Sequence, residues 1–427
     1  MRAVVVALGK MGLPLATYIA RAGHEVVGCD VDAATVERVN AGRSPFPGEA
    51  GLDDALAAAV ADGRLSASTD TTAAVAAGPD LVVAVAPLYV DERAEPDWSM
   101  VDDVCVAIGR GLRAGTTVSL ETTVPVGTTR QRVAPALEAA SGLRAGTDFD
   151  VVFSPERVSS GVVFRDLDTY PKLVGGLDAA GERRGVELYE RFIAAEVRAM
   201  GSAEAAELTK LAETTYRDLN IAYANELARY ADTLGVDVEA VIAAANSQPY
   251  SHVHRPGVAV GGHCIPVYPH FLLGGDPAAR LPRVAREVNG AMPAYAVDLL
   301  EHELGSLDGL AILILGVAYR GGVKELAFSG AAALRHELRA RGARPLAADP
   351  LYSPSELRAA GYEPWDGEAA VAGAIVQTDH DSYRSLRPGD VGGATVVVDG
   401  RGVLDLDAFH AGGVRVQRIG RPGTMRS

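Results

Sequence analysis

Residues 3–30 read AVVVALGKMGLPLATYIARAGHEVVGCD, and the order of features in this stretch decides the fold. The unbroken apolar run from Ala3 to Leu8 has the character of a strand buried on both faces. Gly9-Lys10-Met11-Gly12 follows, then an amphipathic helical segment over 13–22, then a second strand-like run that ends in Asp30. Strand, glycine turn, helix, strand and acid form a dinucleotide-binding fingerprint. The amides at the helix start hold a pyrophosphate and the acid binds a ribose hydroxyl. Gly9, Lys10, Met11, Gly12 and Asp30 are therefore the candidate cofactor-binding residues. An acid at Asp30, with Asp32 beside it, selects NAD over NADP because a 2′-phosphate would meet like charge. Ala7 stands where the fingerprint has its first glycine, which is tolerable if its φ is negative. A generic strand–helix–strand turn is the bland alternative.

Further apolar runs at 81–86 (LVVAVA) and 116–121 (TTVSLE) alternate with alanine-rich helical segments, which predicts a doubly wound parallel sheet with ligands beyond its carboxyl ends. Two strand ends carry polar clusters: Glu121-Thr122-Thr123-Val124-Pro125, and Ser154-Pro155-Glu156-Arg157. Helix capping explains the threonines but explains Glu156 less well. Near Ser202 a long proline-free helix begins, and Gly235 is its natural end. Such a helix links two domains and packs against its counterpart in a dimer, with Leu208, Leu211, Thr215, Leu219, Ala222 and Leu227 as its packed face. Lys210 on this helix is one of four lysines among 40 basic residues. A lysine can lower its pKa on burial and serve in proton transfer, which arginine cannot; a surface lysine is the alternative. From about Gly309 strand-like runs again alternate with helices, without a full glycine fingerprint, so this part receives the phosphate or nucleotide portion of a substrate. The tail after Gly420 reads as loose. The fold class is α/β: two doubly wound Rossmann-like domains joined by a long central helix. The divisions are 1–200 for the NAD-binding domain, 201–300 for the central helical and cysteine region, and 301–427 for the C-terminal domain.

The net charge of −15 and pI near 5.1 argue against general affinity for nucleic acid or anionic membranes. Three scattered cysteines exclude a disulfide framework and suit a reducing cytosol. No apolar run reaches membrane-spanning length, and the expectation is a cytoplasmic protein. In VGGHCIP, 260–266, two glycines before Cys264 and a proline after it predict a tight exposed turn. A thiol so placed can act as a nucleophile, whereas Cys29 and Cys105, inside a strand and a helix, read as inert. From the turn alone an incidental cysteine is an equal alternative. His252, His254, His263, Cys264 and His270 invite a metal reading, but their spacing fits no usual zinc pattern, and no metal is expected.

The chain resembles the nucleotide-sugar dehydrogenases, the family of the UDP-glucose, GDP-mannose and UDP-N-acetylmannosamine enzymes. The motifs that carry the resemblance, all in the family's order, are ALGKMGLPLA, ETTVPVGTT, SPERV, YPKLVGG, ELTKLAETTYRDLNIAYANEL, RPGVAVGGHCIP, LGVAYRGG and VVVDGRG. The resemblance implies a homodimer built on the central helix and a site in the cleft between domains. It also implies NAD-dependent four-electron oxidation of a sugar C6 alcohol, of the UDP- or dTDP-glucose type, to the uronic acid. Matched position by position, Cys264 is the nucleophile that forms a thiohemiacetal and then a thioester, Lys210 stabilises oxyanions, and Thr123 and Glu156 organise proton transfers and water. Pro87 and Thr123 fall beside the cofactor. Glu156, Arg157, Lys172, Lys210, Arg255, Gly261, Tyr319 and Arg320 fall toward the substrate. Thr214 replaces the family's asparagine one turn after the lysine, Tyr268 replaces the aspartate four residues after the cysteine, and Ala327 replaces an arginine. These departures motivate the alternative of a degenerate member that binds NAD or a nucleotide sugar without full turnover, or that stops before thioester hydrolysis.

Overall fold

The computed structural model describes residues 1–91 and 95–421, so the loose tail read from the sequence lies, from residue 422 on, outside the described residues. The chain forms two compact units, Met1–Glu213 and Thr214–Ser427. A continuous helix of 32 residues, Ala203–Leu234, runs through the division and is about 48 Å long at 1.5 Å per residue. No helix among the described residues is long and apolar enough to cross a membrane.

The first unit is built on eight strands: β1 (Arg2–Val6), β2 (Glu25–Cys29), β3 (Leu65–Ser68), β4 (Leu81–Ala84), β5 (Thr117–Leu120), β6 (Asp150–Phe153), β7 (Lys172–Gly176) and β8 (Val197–Ala199). Their order is β8-β7-β6-β5-β4-β1-β2-β3. Pairing is parallel except at β6–β7, where Val152 faces Gly176. The order reverses between β4 and β1, which makes the carboxyl end of β1 the topological switch point. Helix α1 (Gly12–Arg21) crosses from β1 to β2 and contributes Leu13, Leu15 and Ile19 to the same core as Val5, Val26 and Leu81.

The turn between β1 and α1 corrects one expectation. Ala7 adopts φ 77°, in the left-handed region, rather than a negative φ. Its amide still extends the ladder to the Cys29 carbonyl at 2.8 Å, after which the chain must reverse at once into α1. The reversal is tight enough that a Cβ on Gly12 would sit 1.9 Å from the Ala7 carbonyl oxygen.

The second unit holds six parallel strands: β9 (Ala311–Leu315), β10 (Arg344–Ala348), β11 (Glu363–Pro364), β12 (Gly373–Val376), β13 (Val396–Asp399) and β14 (Arg415–Arg418), in the order β11-β10-β9-β12-β13-β14. Alternate residues of each central strand enter different cores. Ile312, Ile314, Ile375, Val396 and Val398 face one layer, and Leu313, Leu315, Ala374, Val376 and Val397 face the other. This two-sided burial is why these runs read as continuously apolar. The first layer includes Ala224, Ala228 and Ala231 of the central helix, together with Met292, Ala296 and Leu300 of a second long helix, Leu281–Leu304.

A buried polar network joins those two helices. Asn289 donates to the Asp218 carboxylate at 2.7 Å, Arg286 reaches the same oxygen at 3.0 Å, and Asn225 donates to Asn289 at 2.9 Å. The free oxygen of the Asn225 amide takes the Gly257 amide at 2.9 Å, which fixes the start of the segment leading to Cys264. Burial raises the Asp218 carboxyl against the opposing pull of Arg286 and Asn289. The packed face of the central helix also differs from the expected one. Leu211, Thr215 and Ala222 are buried, but Leu208 is about half exposed and the inward stripe continues through Asp218, Asn225 and Ala228. Polar residues with partners occupy positions where hydrophobic spacing alone would place leucine.

Relief of a left-handed alanine is worth about 1–2 kcal/mol, against about 0.5–1 kcal/mol for the extra chain entropy of glycine. Ala7→Gly is therefore expected to raise the melting temperature, by about 0.5–1 kcal/mol of stability. A lower melting temperature would show that the Ala7 methyl contributes more than its backbone costs.

Candidate active site

Within the first unit the dinucleotide turn is organised by Asp30. One of its carboxylate oxygens accepts the Leu8 amide at 2.8 Å and the other accepts the Asp32 amide at 2.9 Å. Asp32 itself caps the following helix through the amides of Ala34 and Thr35. A Cβ built on Gly9 would meet nothing within 4 Å, so the turn is open on that side, and Lys10 is exposed next to it. Met11 precedes α1, whose start faces this open turn, the arrangement in which a helix N-terminus meets a pyrophosphate. Pro87 is part-buried beyond β4, and the neighbouring Ala86 carbonyl accepts the Thr122 hydroxyl at 2.5 Å, tying the β4 and β5 ends together.

The loop after β5 is tied to the central helix by a residue that sequence reasoning missed. Glu207, one turn before Lys210, is fully buried and accepts the Gly127 amide at 2.5 Å, the Thr129 amide at 2.8 Å and the Thr129 hydroxyl at 2.6 Å. Burial still holds its carboxyl above the ordinary range, against the pull of those donors. Three residues on, the Lys210 ammonium donates to the main-chain carbonyl of Glu156. The Glu156 carboxylate accepts the Val158 amide at 2.6 Å, and its own amide donates to the Glu121 carbonyl at 3.3 Å. Thr123 is buried, as is Thr122. The structure thus gathers Thr123, Glu156 and Lys210 on elements that share hydrogen bonds.

Beneath them lies a second buried cluster. The Glu121 carboxylate pairs with the Lys172 ammonium at 2.7 Å and accepts the Tyr189 hydroxyl at 2.5 Å, and Tyr189 meets the Ser119 hydroxyl at 2.8 Å. Burial pushes the Glu121 carboxyl up, Lys172 opposes this, and the nearby charge of Glu156 adds to it. Lys172 therefore has its ammonium enclosed. Arg157 is likewise engaged inside this unit, with the Pro171 carbonyl at 2.8 Å and with Glu213. An acid at the end of a buried strand was the visible signal for Glu121; its partners lie 51 and 68 residues away.

In the second unit Cys264 is exposed on a turn whose Gly262 has φ 89°. The Cys264 carbonyl accepts the Tyr268 amide at 2.9 Å, so the cysteine lies one turn ahead of the helix Tyr268–Gly275. Tyr268 stacks on Phe271 with centroids 5.6 Å apart. Thr214 is buried on the central helix, one turn after Lys210. Arg255 and Arg320 are exposed, and the Arg320 guanidinium lies 5.9 Å from the Tyr319 ring centroid. Gly261 is packed so closely that a Cβ there would come within 2.8 Å of both Phe328 and Tyr319. Cys29 and Cys105 are buried, and burial pushes their thiols up to about 11 and about 12. Among the described residues no group of three or more His, Cys, Asp or Glu side chains is arranged to hold a metal ion.

Comparison with known proteins gives these sites a family. The NAD binding domain of the UDP-glucose/GDP-mannose dehydrogenase family matches residues 1–193, its central domain matches 204–289, and its UDP binding domain matches 313–406. The chain is 32% identical to UDP-N-acetyl-D-mannosamine dehydrogenase of Pyrococcus horikoshii, over 95% of this chain and 96% of that protein. It is 34% identical to NDP-N-acetyl-D-galactosaminuronic acid dehydrogenase of Ralstonia nicotianae, over 95% and 97%. Among solved structures, UDP-D-ManNAc dehydrogenase from Pyrococcus horikoshii aligns with a TM-score of 0.87 at 30% identity, covering 99% of each chain. A UDP-glucose dehydrogenase from Pyrobaculum islandicum aligns at 0.84 with 31% identity, covering 94% of each. The fingerprint closed by Asp30, the motif order and these matches together place the chain in the UDP-glucose/GDP-mannose dehydrogenase family, as an NAD-dependent nucleotide-sugar dehydrogenase.

Proposed function

We propose that the protein oxidises the C6 alcohol of a UDP-activated N-acetylhexosamine to the carboxylate through a covalent intermediate on Cys264. The observation that carries this reading is an exposed thiol on a glycine turn in a chain that also bears an NAD-type turn oriented by Asp30. The sugar is taken from the relatives whose names specify N-acetylmannosamine or N-acetylgalactosaminuronic acid; UDP-glucose and dTDP-glucose, favoured by the sequence alone, are the competing substrates. The open turn at Gly9 and the fixed Asp30 carboxylate fit NAD, which supplies the hydride acceptor for both oxidations when bound.

The chain's own groups do the rest. The Lys210 ammonium stabilises the alkoxide as the C6 hydroxyl loses its proton, with Thr123 and Glu156 arranging the transfer. The Cys264 sulfur adds to the aldehyde carbon and the carbonyl oxygen takes up the proton, giving a thiohemiacetal. The second oxidation leaves a thioester, and water cleaves its C–S bond to release the acid and restore the thiol. Lys172 and Arg157 stand on the substrate side of this reading, and they also hold Glu121 and the 155–158 loop. Arg255, Gly261, Tyr319 and Arg320 line the substrate. A phenol is no base at neutral pH, so Tyr268 leaves water activation to Glu156, and Thr214 supplies a hydroxyl where the family has an amide. The functional divisions remain 1–200, 201–300 and 301–427, in a cytoplasmic homodimer. The dimer reading rests on Tyr216, Tyr223 and Tyr230, seven residues apart on the central helix and 51%, 53% and 63% exposed, a stripe suited to a second copy.

With NAD+ and a panel of nucleotide sugars, UDP-N-acetylhexosamines should give the highest kcat/KM, and Cys264→Ser should abolish acid formation while cofactor binding survives. Full acid production by that variant, or preference for UDP-glucose or dTDP-glucose, would overturn the corresponding half of the proposal. Glu156→Gln is expected to slow hydrolysis by about 100-fold or more and to accumulate an acyl adduct on Cys264, seen by intact mass; its absence would remove Glu156 as the base. Tyr223→Glu with Tyr230→Glu should convert the dimer to monomer in light scattering, and an unchanged dimer mass would place the interface elsewhere.

A further inference from the structure

The turn that carries Cys264 is fastened to the loop 319–329 by several independent contacts, all within the second unit. The Gly262 amide donates to the Ala327 carbonyl at 3.2 Å. The His263 imidazole pairs through Nε2 with the Glu325 carboxylate. The same ring meets Phe328 edge-on, with centroids 6.1 Å apart and planes at 82°. Gly261 and Gly262 lie against Tyr319 so tightly that a Cβ on either would come within 2.8 and 3.0 Å of that side chain. The loop closes on itself through the Tyr319 amide and the Glu325 carbonyl at 3.1 Å, and Phe328 is held at φ 49°. A non-glycine residue persists in that region where its surroundings over-determine it, and here the surroundings include the cysteine turn.

We infer that His263 is a positioning residue that, through Glu325 and Phe328, ties the Cys264 turn to the 319–329 loop, so that the placement of the thiol follows the seat of that loop. The inference rests on the reading of Cys264 as nucleophile. It extends that reading by making the nucleophile's position depend on a loop 62 residues further along the chain. The pair is partly exposed, 44% at His263 and 21% at Glu325, and exposed ion pairs add little to global stability. Variants of it will fold.

Iodoacetamide alkylation of the full chain at neutral pH, mapped by peptide mass, reads Cys264 apart from the buried Cys29 and Cys105. His263→Ala and Glu325→Ala should each shift the Cys264 alkylation rate, and lower kcat, by about tenfold, with KM for NAD+ nearly unchanged. The double variant should be no worse than the more severe single one, because the two residues act as a unit. Glu325→Gln, which keeps an acceptor for the imidazole, should recover most of both rates. Unchanged alkylation in both single variants, losses that multiply in the double variant, or no recovery in Glu325→Gln would overturn the inference. Cys264→Ser is assayed in parallel. If it still forms acid, the nucleophile reading fails, and the alkylation rates alone then decide whether His263 positions the turn.

Discussion

A buried carboxylate, Glu207, sets the geometry between the central helix and the loop after β5 in the first unit. Burying such a charge costs several kcal/mol unless it is satisfied, and here three donors from Gly127 and Thr129 satisfy it. Hydrogen bonds to an ionised group are the strong ones, so the contact fixes both the rotation of the central helix and its distance from the β5 end. Three residues along the same helix, the Lys210 ammonium donates to the Glu156 carbonyl. Glu121, Lys172 and Tyr189 form the floor below, so Glu156 sits on a rigid base and beside a second carboxyl.

Both units solve the turn after their first strand in the same way. Asp30 at the end of β2 accepts the Leu8 amide, and Asp349, just after β10, accepts the Val317 and Ala318 amides at 2.8 and 3.1 Å. The second acid is also closed by His380 at 3.1 Å. Burial raises the Asp349 carboxyl, but His380 and the surrounding amides outweigh it and hold the group below its ordinary range. An acid so fully engaged orders its own turn, whereas the Asp30 carboxylate accepts the Leu8 and Asp32 amides. The two sheets thus share an architecture while the match to a UDP binding domain falls on the second and that to an NAD binding domain on the first.

Much of this was legible in the chain itself. Strand β1, helix α1 and strand β2 lie where the apolar run, glycine turn and Asp30 placed them, and the central helix ends at Leu234, just before the glycine that marked its stop. The exposed turn at Cys264 followed from its flanking glycines and proline. Local patterns carry such information because each depends on residues a few positions apart. The sign of φ at Ala7 was not legible, since it is set by the approach of Gly12 to the Ala7 carbonyl and not by alanine's own preference. The stripe of the central helix was only partly legible, since Leu208 is about half exposed and buried Asp218 and Asn225, with partners on another helix, stand where spacing alone suggests apolar residues. Glu207 and its donors are about 80 residues apart, and His263 and Glu325 are 62 apart; no periodicity in a single sequence encodes pairings at that range.

The chemistry assigned to Cys264 is tested most directly by counting NADH and carboxylate in one reaction with limiting nucleotide sugar and excess NAD+. Two NADH formed for each acid, with no free aldehyde trapped by a hydrazine at any stage, is the result that covalent capture on the thiol requires. One NADH per sugar, with an aldehyde product, would contradict it and reduce the protein to a two-electron alcohol dehydrogenase.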